Sequence, residues 1–232
     1  MTENEIFSRE ISLIGNDRFN KLQASSVAIV GLGGVGGAAF TALVRAGVGH
    51  ITACDCDCFE SSNLNRQLLA TAQTIGVSKC DAAVEFAHLI DQKCDCVALN
   101  LRITPENVDE IFAHSPCWVI DAVDNVTAKL AIIEKCLSRS VNVISCMGTG
   151  NRLVPTFKIV DISETAGCGC PLARVMRREL RRRGIESGVK VLCGTEPALP
   201  SPAGSRVPAS ISYVPPIAGF MIAGEVVRNI IE

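Results

Sequence analysis

Two consecutive stretches decide the fold: "SSVAIVGLGGVGGAAF", residues 25–40, and "CDCDCFESSNLNRQ", residues 54–67. In the first stretch the apolar run SVAIV leads directly into Gly31, Gly33 and Gly36, which form a G-x-G-x-x-G pattern before a helical segment. Glycines at this spacing permit a tight turn and let the backbone approach a phosphate at the N-terminus of a helix. The first stretch therefore predicts a strand, a nucleotide-binding turn and a helix.

Apolar runs of strand length alternate with segments of helical periodicity as far as about Cys146. This alternation is typical of a parallel sheet whose strands are connected by helices. We predict an α/β fold with a doubly wound, Rossmann-like, mostly parallel sheet. The predicted strands are SVAIV, HITAC, DCVAL, CWVIDA and VNVISC, and the predicted helices are residues 35–46, 78–90, 104–114 and 126–138.

The chain changes character near residue 150, which divides it into a nucleotide-binding domain, residues 1–150, and a C-terminal extension, residues 151–232, packed on the same domain. The extension is predicted to contain a strand PTFKIVDI, a basic helix over 170–184, a long loop over 194–209, a strand SISYV and a final buried helix. That last apolar segment is interrupted and shorter than the ~20 residues of a membrane span, so no membrane association is expected.

Composition narrows the possible function classes. The net charge of this 232-residue chain is only -2, so any nucleic acid must be bound by a local patch rather than by the overall field. The N-terminus, "MTENEIFSRE", has no apolar signal-peptide segment, and we therefore expect a cytoplasmic protein. In that compartment the twelve cysteines are expected to be reduced and mostly buried rather than joined in disulfides.

The second stretch places nucleotide-binding side chains at the end of the second predicted strand. Asp55 lies where a carboxylate accepts hydrogen bonds from ribose hydroxyls. The donors and cations that follow it are Asn63, Arg66, Gln67 and Lys79. Because Cys54, Cys56 and Cys58 alternate with Asp55 and Asp57, we expect these thiols to pack on the opposite face of the strand.

A further carboxylate pair lies in "DAVDN", where Asp121 and Asp124 come at the carboxyl end of the fourth predicted strand. Ligands bind at the carboxyl ends of strands in such sheets, and an aspartate there can hold Mg²⁺ on nucleotide phosphates. A ribose acceptor, two cations and a metal-binding carboxylate fit ATP. A nicotinamide oxidoreductase, the alternative for a glycine motif of this kind, would leave Arg66, Lys79 and Asp124 without a role.

Four motifs, "GLGGVG", "DCDCFESSNLNRQ", "GVSKCDAA" and "VIDAVDN", together resemble the nucleotide-binding core of the ubiquitin-activating-type adenylyltransferases. That superfamily includes the enzymes that activate sulfur-carrier proteins for molybdopterin and thiamine synthesis. The resemblance covers residues 7–150 and implies that Asp55 binds the ribose and that Asp124 holds Mg²⁺. It implies phosphate contacts from Asn63, Arg66 and Lys79. The candidate ATP-contacting set is Gly31, Gly33, Gly34, Gly36, Asp55, Asp57, Asn63, Arg66, Gln67 and Lys79.

The segment "FSREI" resembles an N-terminal motif whose arginine, here Arg9, reaches into the ATP site of the partner subunit. This implies a homodimer, with Arg9, Arg66, Lys79 and Asp124 as the candidate catalytic residues. The same resemblance hints at a bound Na⁺ or K⁺ without identifying its ligands. Some relatives have a partner in sulfur transfer, for which the chain carries no recognisable motif.

The C-terminal part lacks the two C-x-x-C zinc pairs of the enzymes that act on sulfur carriers. Instead, "MGTGNRLVPTFKIVDI", "CGCPLARVMRRELRRRG" and the segment from "TEPALP" to "GEVV" resemble the bacterial tRNA threonylcarbamoyladenosine dehydratases. Five arginines of the basic helix share one broad face, which is typical of contact with a phosphate backbone. The candidate tRNA-binding residues are Arg174, Arg177, Arg178, Arg181, Arg182 and Arg183.

The resemblance implies ATP-dependent adenylation of the threonylcarbamoyl carboxylate on a tRNA, next to the anticodon. Intramolecular cyclisation then releases AMP. Two alternatives stay open: an adenylyltransferase for a sulfur-carrier or ubiquitin-like protein, and a non-catalytic nucleotide-sensing or RNA-binding module. A covalent intermediate on a cysteine also stays open, with Cys168 and Cys170 before the basic helix and Cys193 near the long loop as candidates.

Overall fold

The computed structural model describes residues 3–200 and 208–232, and these form a single seven-stranded sheet. Its order is β3-β2-β1-β4-β5-β7-β6, and all neighbours are parallel except the antiparallel pair β6 and β7. The predicted fold class, a doubly wound and mostly parallel α/β sheet, is confirmed. The strands are β1 Ser26–Val30, β2 His50–Cys54, β3 Asp95–Leu99, β4 Trp118–Asp121, β5 Asn142–Cys146, β6 Phe157–Asp161 and β7 Lys190–Gly194.

Helices cover both faces of the sheet. In the described parts of the chain, three short helices precede the first strand, and five longer ones connect or follow the strands. They are α1 Glu3–Ile6, α2 Ser8–Ile14, α3 Asn16–Gln23, α4 Gly36–Arg45, α5 Lys79–Ile90, α6 Val126–Ser138, α7 Pro171–Arg182 and α8 Val214–Ile231.

The alternation of side chains along each strand produces two cores. In β1, Val27 and Ile29 pack with α4, α5 and α8, whereas Ala28 and Val30 pack on the other face with α6 and α7. All four side chains are buried, so this central strand is apolar on both faces, as expected for a parallel strand between helix layers.

Strand prediction succeeded in the first domain and failed in part of the second. The observed bounds of β1, β2 and β3 equal the predicted ones, and helix α6 begins and ends at the predicted residues. The helix predicted over residues 104–114 is only a short 3₁₀ turn, Val108–Phe112. Strand β7 was not predicted, because its five residues follow a turn-rich segment and have no clear flanking signal.

The predicted strand SISYV is wrong. Residues 208–213 lie outside regular secondary structure, and Val214 already belongs to α8. The two prolines that follow Val214 occupy the first helical positions, where proline favours helix initiation. Ile211 and Val214, whose β-branched side chains suggested a strand, therefore lie just before the helix and at its first residue.

The C-terminal extension shares the sheet with the first domain. Strand β7 pairs with β5 in parallel, and β6 closes the edge. Of the predicted loop over 194–209, residues 201–207 lie outside the described residues.

Helix α8 is long and apolar enough to cross a membrane by length and composition, contrary to the expectation that it is too short. In the structure it packs against α4: a side chain added at Gly219 would overlap the Val35 carbonyl and the Ala38 side chain. Gly219, Ala218 and Ile222 are buried, as expected for a core helix of the fold.

Candidate functional site

A cleft of about 780 Å³ opens at the carboxyl ends of β1, β2 and β4. This is the edge at which ligands bind in doubly wound sheets. Nine of the ten predicted ATP-contacting residues line this cleft, and so does the predicted metal ligand Asp124. The tenth, Gly36, does not line the cleft. The predicted residues in the lining are Gly31, Gly33, Gly34, Asp55, Asp57, Asn63, Arg66, Gln67, Lys79 and Asp124.

The glycine turn is shaped by close backbone approaches. Gly31 has a φ of 90°, and a Cβ there would lie 2.8 Å from the Ala122 carbonyl oxygen. A side chain at Gly36 would overlap the Gly31 carbonyl, so α4 begins tight against the end of β1. Only glycine satisfies both positions, and the result is a helix N-terminus that faces the cleft.

Asp55 organises this turn from the end of β2. Its Oδ2 accepts a 2.6 Å hydrogen bond from the Leu32 backbone N–H, and its Oδ1 accepts one of 3.0 Å from the Asp57 N–H. The carboxylate is therefore fixed at the floor of the cleft. Each oxygen keeps a lone pair for a further donor, such as a ribose hydroxyl.

Lys79 lies at the start of α5 and is 6% exposed. Its Nζ lies 3.8 Å from Asp55 Oδ2 and 3.3 Å from Asp57 Oδ2. Partial burial acts to raise the pKa of Asp57, but the Lys79 charge, hydrogen bonds from Cys56 and Lys79, and the Arg102 charge outweigh it. The pKa of Asp57 therefore lies below its usual value. The Lys79 ammonium group therefore lies in the cleft lining, held by the Asp55 and Asp57 carboxylates.

Arg66 is held in place by its own turn. One guanidinium nitrogen donates to the Ser62 carbonyl at 2.9 Å and to Asn65 Oδ1 at 2.8 Å. Asn63 closes a capping box with Glu60 at the preceding 3₁₀ turn. These local bonds fix the guanidinium before any ligand arrives, which lowers the cost of ordering it on binding.

Gln67 carries an unsatisfied polar atom at the glycine turn. The side chain is 7% exposed, and within the described residues its Oε1 has no hydrogen-bond partner. Its Nε2 would lie 3.9 Å from a Cβ at Gly33. Buried polar atoms without a partner are rare in native proteins, so this amide indicates a bound group that the cleft is built to receive.

Asp121 and Asp124 differ completely in environment. Asp121 is fully buried and pairs with Lys129 at 3.0 Å and with the Ser145 hydroxyl at 2.6 Å. Asp124 lies exposed in the cleft lining and has no side-chain partner among the residues that the structure describes. Of these two aspartates, only Asp124 is available to a metal ion.

Sequence reasoning missed the far wall of the cleft, which the loop after β3 forms. Arg102 of this loop is 75% exposed and lies 3.6 Å from Asp57. Leu101, Ile103 and Pro105 add apolar surface suited to the face of a base. The sequence of this loop has no motif that predicts nucleotide binding. Its role in the cleft follows from the pairing of β3 with β2, which the sequence alone did not show.

The basic helix α7 presents an arginine groove, defined by Arg174, Arg177, Arg178, Arg181 and Arg182. Its opposite face buries Ala173, Met176 and Leu180. Glu179 pairs with Arg178 and Arg182 at 3.0 Å each, and Arg177 donates to the Thr165 hydroxyl. Within the described chain, Arg174 and Arg181 have no side-chain partner.

Two predicted arginines lie away from these sites. Arg183 lies outside the groove and pairs with Glu134 of α6 at 3.0 Å as well as with Glu179. Arg9 is exposed on α2 and does not line the cleft of its own subunit.

The cysteines are all free, and nine of the twelve are buried. The expectation that Cys56 and Cys58 pack against the core is wrong, because the chain leaves the sheet after Cys54 and both thiols are exposed. Cys168, Cys170 and Cys193 are buried. Burial, together with neighbouring thiols, raises the pKa of Cys193 to about 11, so it is protonated at neutral pH and a poor nucleophile.

Comparison with known proteins shows the family to which the chain belongs. A model of the ThiF family matches residues 7–232. The chain belongs to the ThiF family. One relative of this ThiF-family chain is the tRNA threonylcarbamoyladenosine dehydratase of Bacillus subtilis. It is 35% identical over 97% of this chain and 94% of that protein.

Solved structures agree with the family assignment. The crystal structure of the Escherichia coli tRNA N6-threonylcarbamoyladenosine dehydratase superposes with a TM-score of 0.91. The two are 28% identical, and the match covers 98% of this chain and 94% of that one. The structure of the same E. coli protein in complex with ATP gives a TM-score of 0.87 at 25% identity, with coverage of 97% and 95%.

Proposed function

We propose that this ThiF-family chain is an ATP-dependent tRNA threonylcarbamoyladenosine dehydratase. It adenylates the threonylcarbamoyl carboxylate next to the anticodon and lets the activated group cyclise. The observation that carries the proposal is the occurrence, in one chain, of a cleft with convergent cations and a separate groove lined by five arginines. Glu179 pairs with two of these arginines, and Arg174 and Arg181 have no carboxylate partner among the described residues. Relatives of matching length bear this activity in their names, and an E. coli relative was crystallised with ATP.

The residues that line the cleft indicate how ATP is oriented in it. The apolar wall at Leu101, Ile103 and Pro105 takes the base, and Asp55 accepts from the ribose. The phosphates then lie along the glycine turn, beside the fixed guanidinium of Arg66. The Gln67 Oε1 atom is an acceptor, so it is satisfied by a donor such as a ribose hydroxyl and not by a phosphate oxygen. Asn63 and Lys79 complete the phosphate contacts.

Asp124 is the carboxylate that would hold Mg²⁺, since it faces the cleft without a protein partner. Mg²⁺ is usually bound through one or two carboxylates together with substrate phosphates, and it neutralises charge on those phosphates. The described residues contain one group of three close ligand atoms, on Asp55, Cys56 and Asp57. A thiol is a poor ligand for Na⁺ or K⁺, so this group does not identify a monovalent site.

The chemistry follows from the substrate. A carboxylate is a poor electrophile because it has no good leaving group. One carboxylate oxygen attacks the α-phosphorus, the bond to pyrophosphate breaks, and an acyl-adenylate forms. Arg66 and Lys79 stabilise the charge that grows on the phosphates during this step. The carbamoyl part of the same modification then attacks the activated carbonyl, and AMP leaves with the bonding electrons. Because this attack is intramolecular, its effective molarity is high.

The arginine groove on α7 is proposed to bind the phosphate backbone of the tRNA. Among residues 3–200 and 208–232, Arg174 and Arg181 have no ion-pair partner, so they meet the phosphates without first breaking an ion pair. They lie seven residues apart on one helix face, about 10 Å along the axis, so one RNA strand can contact both. Arg183 is left out because it is paired with Glu134.

Three further properties complete the proposal. The protein is a cytoplasmic homodimer, and the exposed Arg9 of one subunit enters the cleft of the other. No membrane is involved, since α8 packs in the core. The proposal does not include a binding surface for a sulfur-transfer partner.

The second candidate, adenylation of a sulfur-carrier or ubiquitin-like protein, uses the same cleft. It gives the arginine groove no role, and a nicotinamide oxidoreductase likewise leaves the cations of the cleft unused. Release of pyrophosphate from ATP separates these functions. It is expected with tRNA that bears threonylcarbamoyladenosine, and neither unmodified tRNA nor a carrier protein with a Gly-Gly tail should support it. Release with the carrier alone would transfer the assignment to the second candidate.

A further inference from the structure

Arg152 is a buried arginine that the proposed mechanism does not use. It follows β5 at the carboxyl edge of the sheet and is 5% exposed. Its guanidinium lies over Gly194, the last residue of β7, where any side chain would overlap it. The site is therefore shaped around this side chain.

The charge of Arg152 is not balanced by the chain. Its Nη1 donates to the Glu196 carbonyl, but Nε and Nη2 have no hydrogen-bond partner within the part of the chain that the structure describes. No ion pair among residues 3–200 and 208–232 includes Arg152. The remaining residues, "MT" and "SPAGSRV", contain no carboxylate. Because buried charges are normally paired, an anion from outside the subunit is expected here.

The arrangement of Nε and Nη2 in the Arg152 guanidinium indicates which kind of anion it can bind. Nε and Nη2 lie on the same edge of the guanidinium plane, where they form a fork of two parallel N–H donors. Such a fork matches the two oxygens of one carboxylate. The single Nη1 contact to a main-chain carbonyl leaves this edge free and fixes its direction.

The position of Arg152 excludes two phosphate sources. It does not line the nucleotide cleft, so the ATP phosphates bind elsewhere. An RNA backbone is bulky and meets exposed arginines, as in the groove on α7, whereas Arg152 is buried. A group that reaches it must be small and carried on a flexible tether.

The segment 208–213 connects Arg152 to the cleft. Asn151, its neighbour, donates from its backbone to the Ala209 carbonyl and accepts from the Ala209 N–H, both at 2.7 Å. One residue further, the Ser210 carbonyl accepts from the Asn65 amide at 3.1 Å. Asn65 precedes Arg66 and contacts its guanidinium. One short segment therefore connects the residue next to Arg152 to Arg66, which lines the cleft.

We propose that Arg152 binds the carboxylate of the threonylcarbamoyl group and presents it for adenylation; this rests on the proposed function. One carboxylate oxygen stays on the fork while the other attacks the α-phosphorus. Adenylation removes the carboxylate charge and so releases the group from Arg152 for ring closure. Arg152 also selects modified over unmodified tRNA, which has no carboxylate at this position.

The test compares binding of tRNA that bears threonylcarbamoyladenosine with binding of the same tRNA unmodified. The wild type is expected to prefer the modified tRNA by about 10- to 100-fold, the effect of charge-assisted hydrogen bonds. Arg152→Met should bind both equally, while Arg152→Lys should keep part of the preference because it keeps the charge. Thr156→Val is the matched control, since it removes another buried polar atom without a partner and should leave the preference unchanged.

Thermal unfolding of the free protein separates a binding role from a structural one. If Arg152 awaits an anion, Arg152→Met is at least as stable as the wild type, since it removes an unpaired buried charge. A lower melting temperature together with a retained preference for modified tRNA would overturn the inference. If the wild type turns over the modified nucleoside and Arg152→Met is equally selective for modified tRNA, the role of Arg152 is wrong but the proposed function stands. A wild type without turnover and without preference would instead reject the proposed function.

Discussion

Lys129 Nζ lies 3.0 Å from Asp121 Oδ2, and neither side chain is exposed to solvent. Ser145 completes the cluster with a 2.6 Å hydrogen bond to the same carboxylate oxygen. The three residues connect α6, β4 and β5 beneath the cleft. The pair thus keeps the Asp121 carboxylate buried beneath the cleft, whereas Asp124 lies in the cleft lining.

Loss of one member of this pair should damage stability rather than catalysis. Lys129→Met leaves a buried, uncompensated carboxylate, and it should lower the free energy of unfolding by about 3 to 5 kcal/mol. The double variant Asp121→Asn/Lys129→Met should recover part of this loss. Urea denaturation measures both, and a single variant as stable as the wild type would contradict the assignment of a structural role.

Arg66 and Asp124 should be required for adenylation. We expect Arg66→Ala and Asp124→Asn to slow pyrophosphate release about 100- to 1,000-fold, since each removes one group that stabilises charge in the transition state. Circular dichroism should be unchanged. Asp109→Asn, which alters a carboxylate paired with Lys135 and Arg139 outside the cleft, is the control and should retain activity. Full rates in both cleft variants would refute the assignment.

Arg9 should act across the dimer interface. Arg9→Ala and Arg66→Ala should each be inactive alone. A mixture of the two, allowed to exchange subunits, should regain about a quarter of the wild-type rate, because half the dimers are mixed and each has one intact site. The control mixes Arg66→Ala with Asp124→Asn, which lie in the same cleft and should not complement. An inactive Arg9→Ala/Arg66→Ala mixture with proven exchange would place Arg9 outside the partner's site.

The arginine groove should give tRNA binding its salt dependence. The double variant Arg174→Gln/Arg181→Gln should bind tRNA more weakly and reduce the slope of log K against log salt by about 1 to 2. The matched control is Arg183→Gln, which removes an arginine already paired with Glu134. If the control and the double variant lower the slope equally, the groove is not the binding surface.

Much of the fold could be predicted because local signals agreed with the tertiary structure. The run SVAIV and the glycines after it specify β1 and the turn, and Ser78 caps α5 where the sequence predicts a helix start. By contrast, β7 is five residues long and owes its pairing to β5, which lies more than 40 residues earlier in the chain. A strand of this kind has no strong local pattern.

The site was predictable to the same extent. The sequence predicted Asp55 because it directly follows the end of β2, and it predicted Arg66 and Lys79 from the motifs that come after it; the structure places all three in one cleft. The resemblance already favoured Asp124 over Asp121 for Mg²⁺, whereas the pairing of Asp121 with the buried Lys129 is visible only in the structure. The contribution of Arg102 required the approach of the loop after β3. Arg152 gave no signal in sequence because its significance lies in the partners it lacks.

The central claim is tested most directly by the mass of the modified nucleoside. The pure protein is incubated with ATP, Mg²⁺ and tRNA bearing threonylcarbamoyladenosine, and the RNA is digested under mild conditions for mass spectrometry. The account predicts a loss of one water molecule from the nucleoside that requires ATP and is about 100- to 1,000-fold slower with Arg66→Ala. An unchanged nucleoside, with pyrophosphate released only when a carrier protein with a Gly-Gly tail is added, would contradict it.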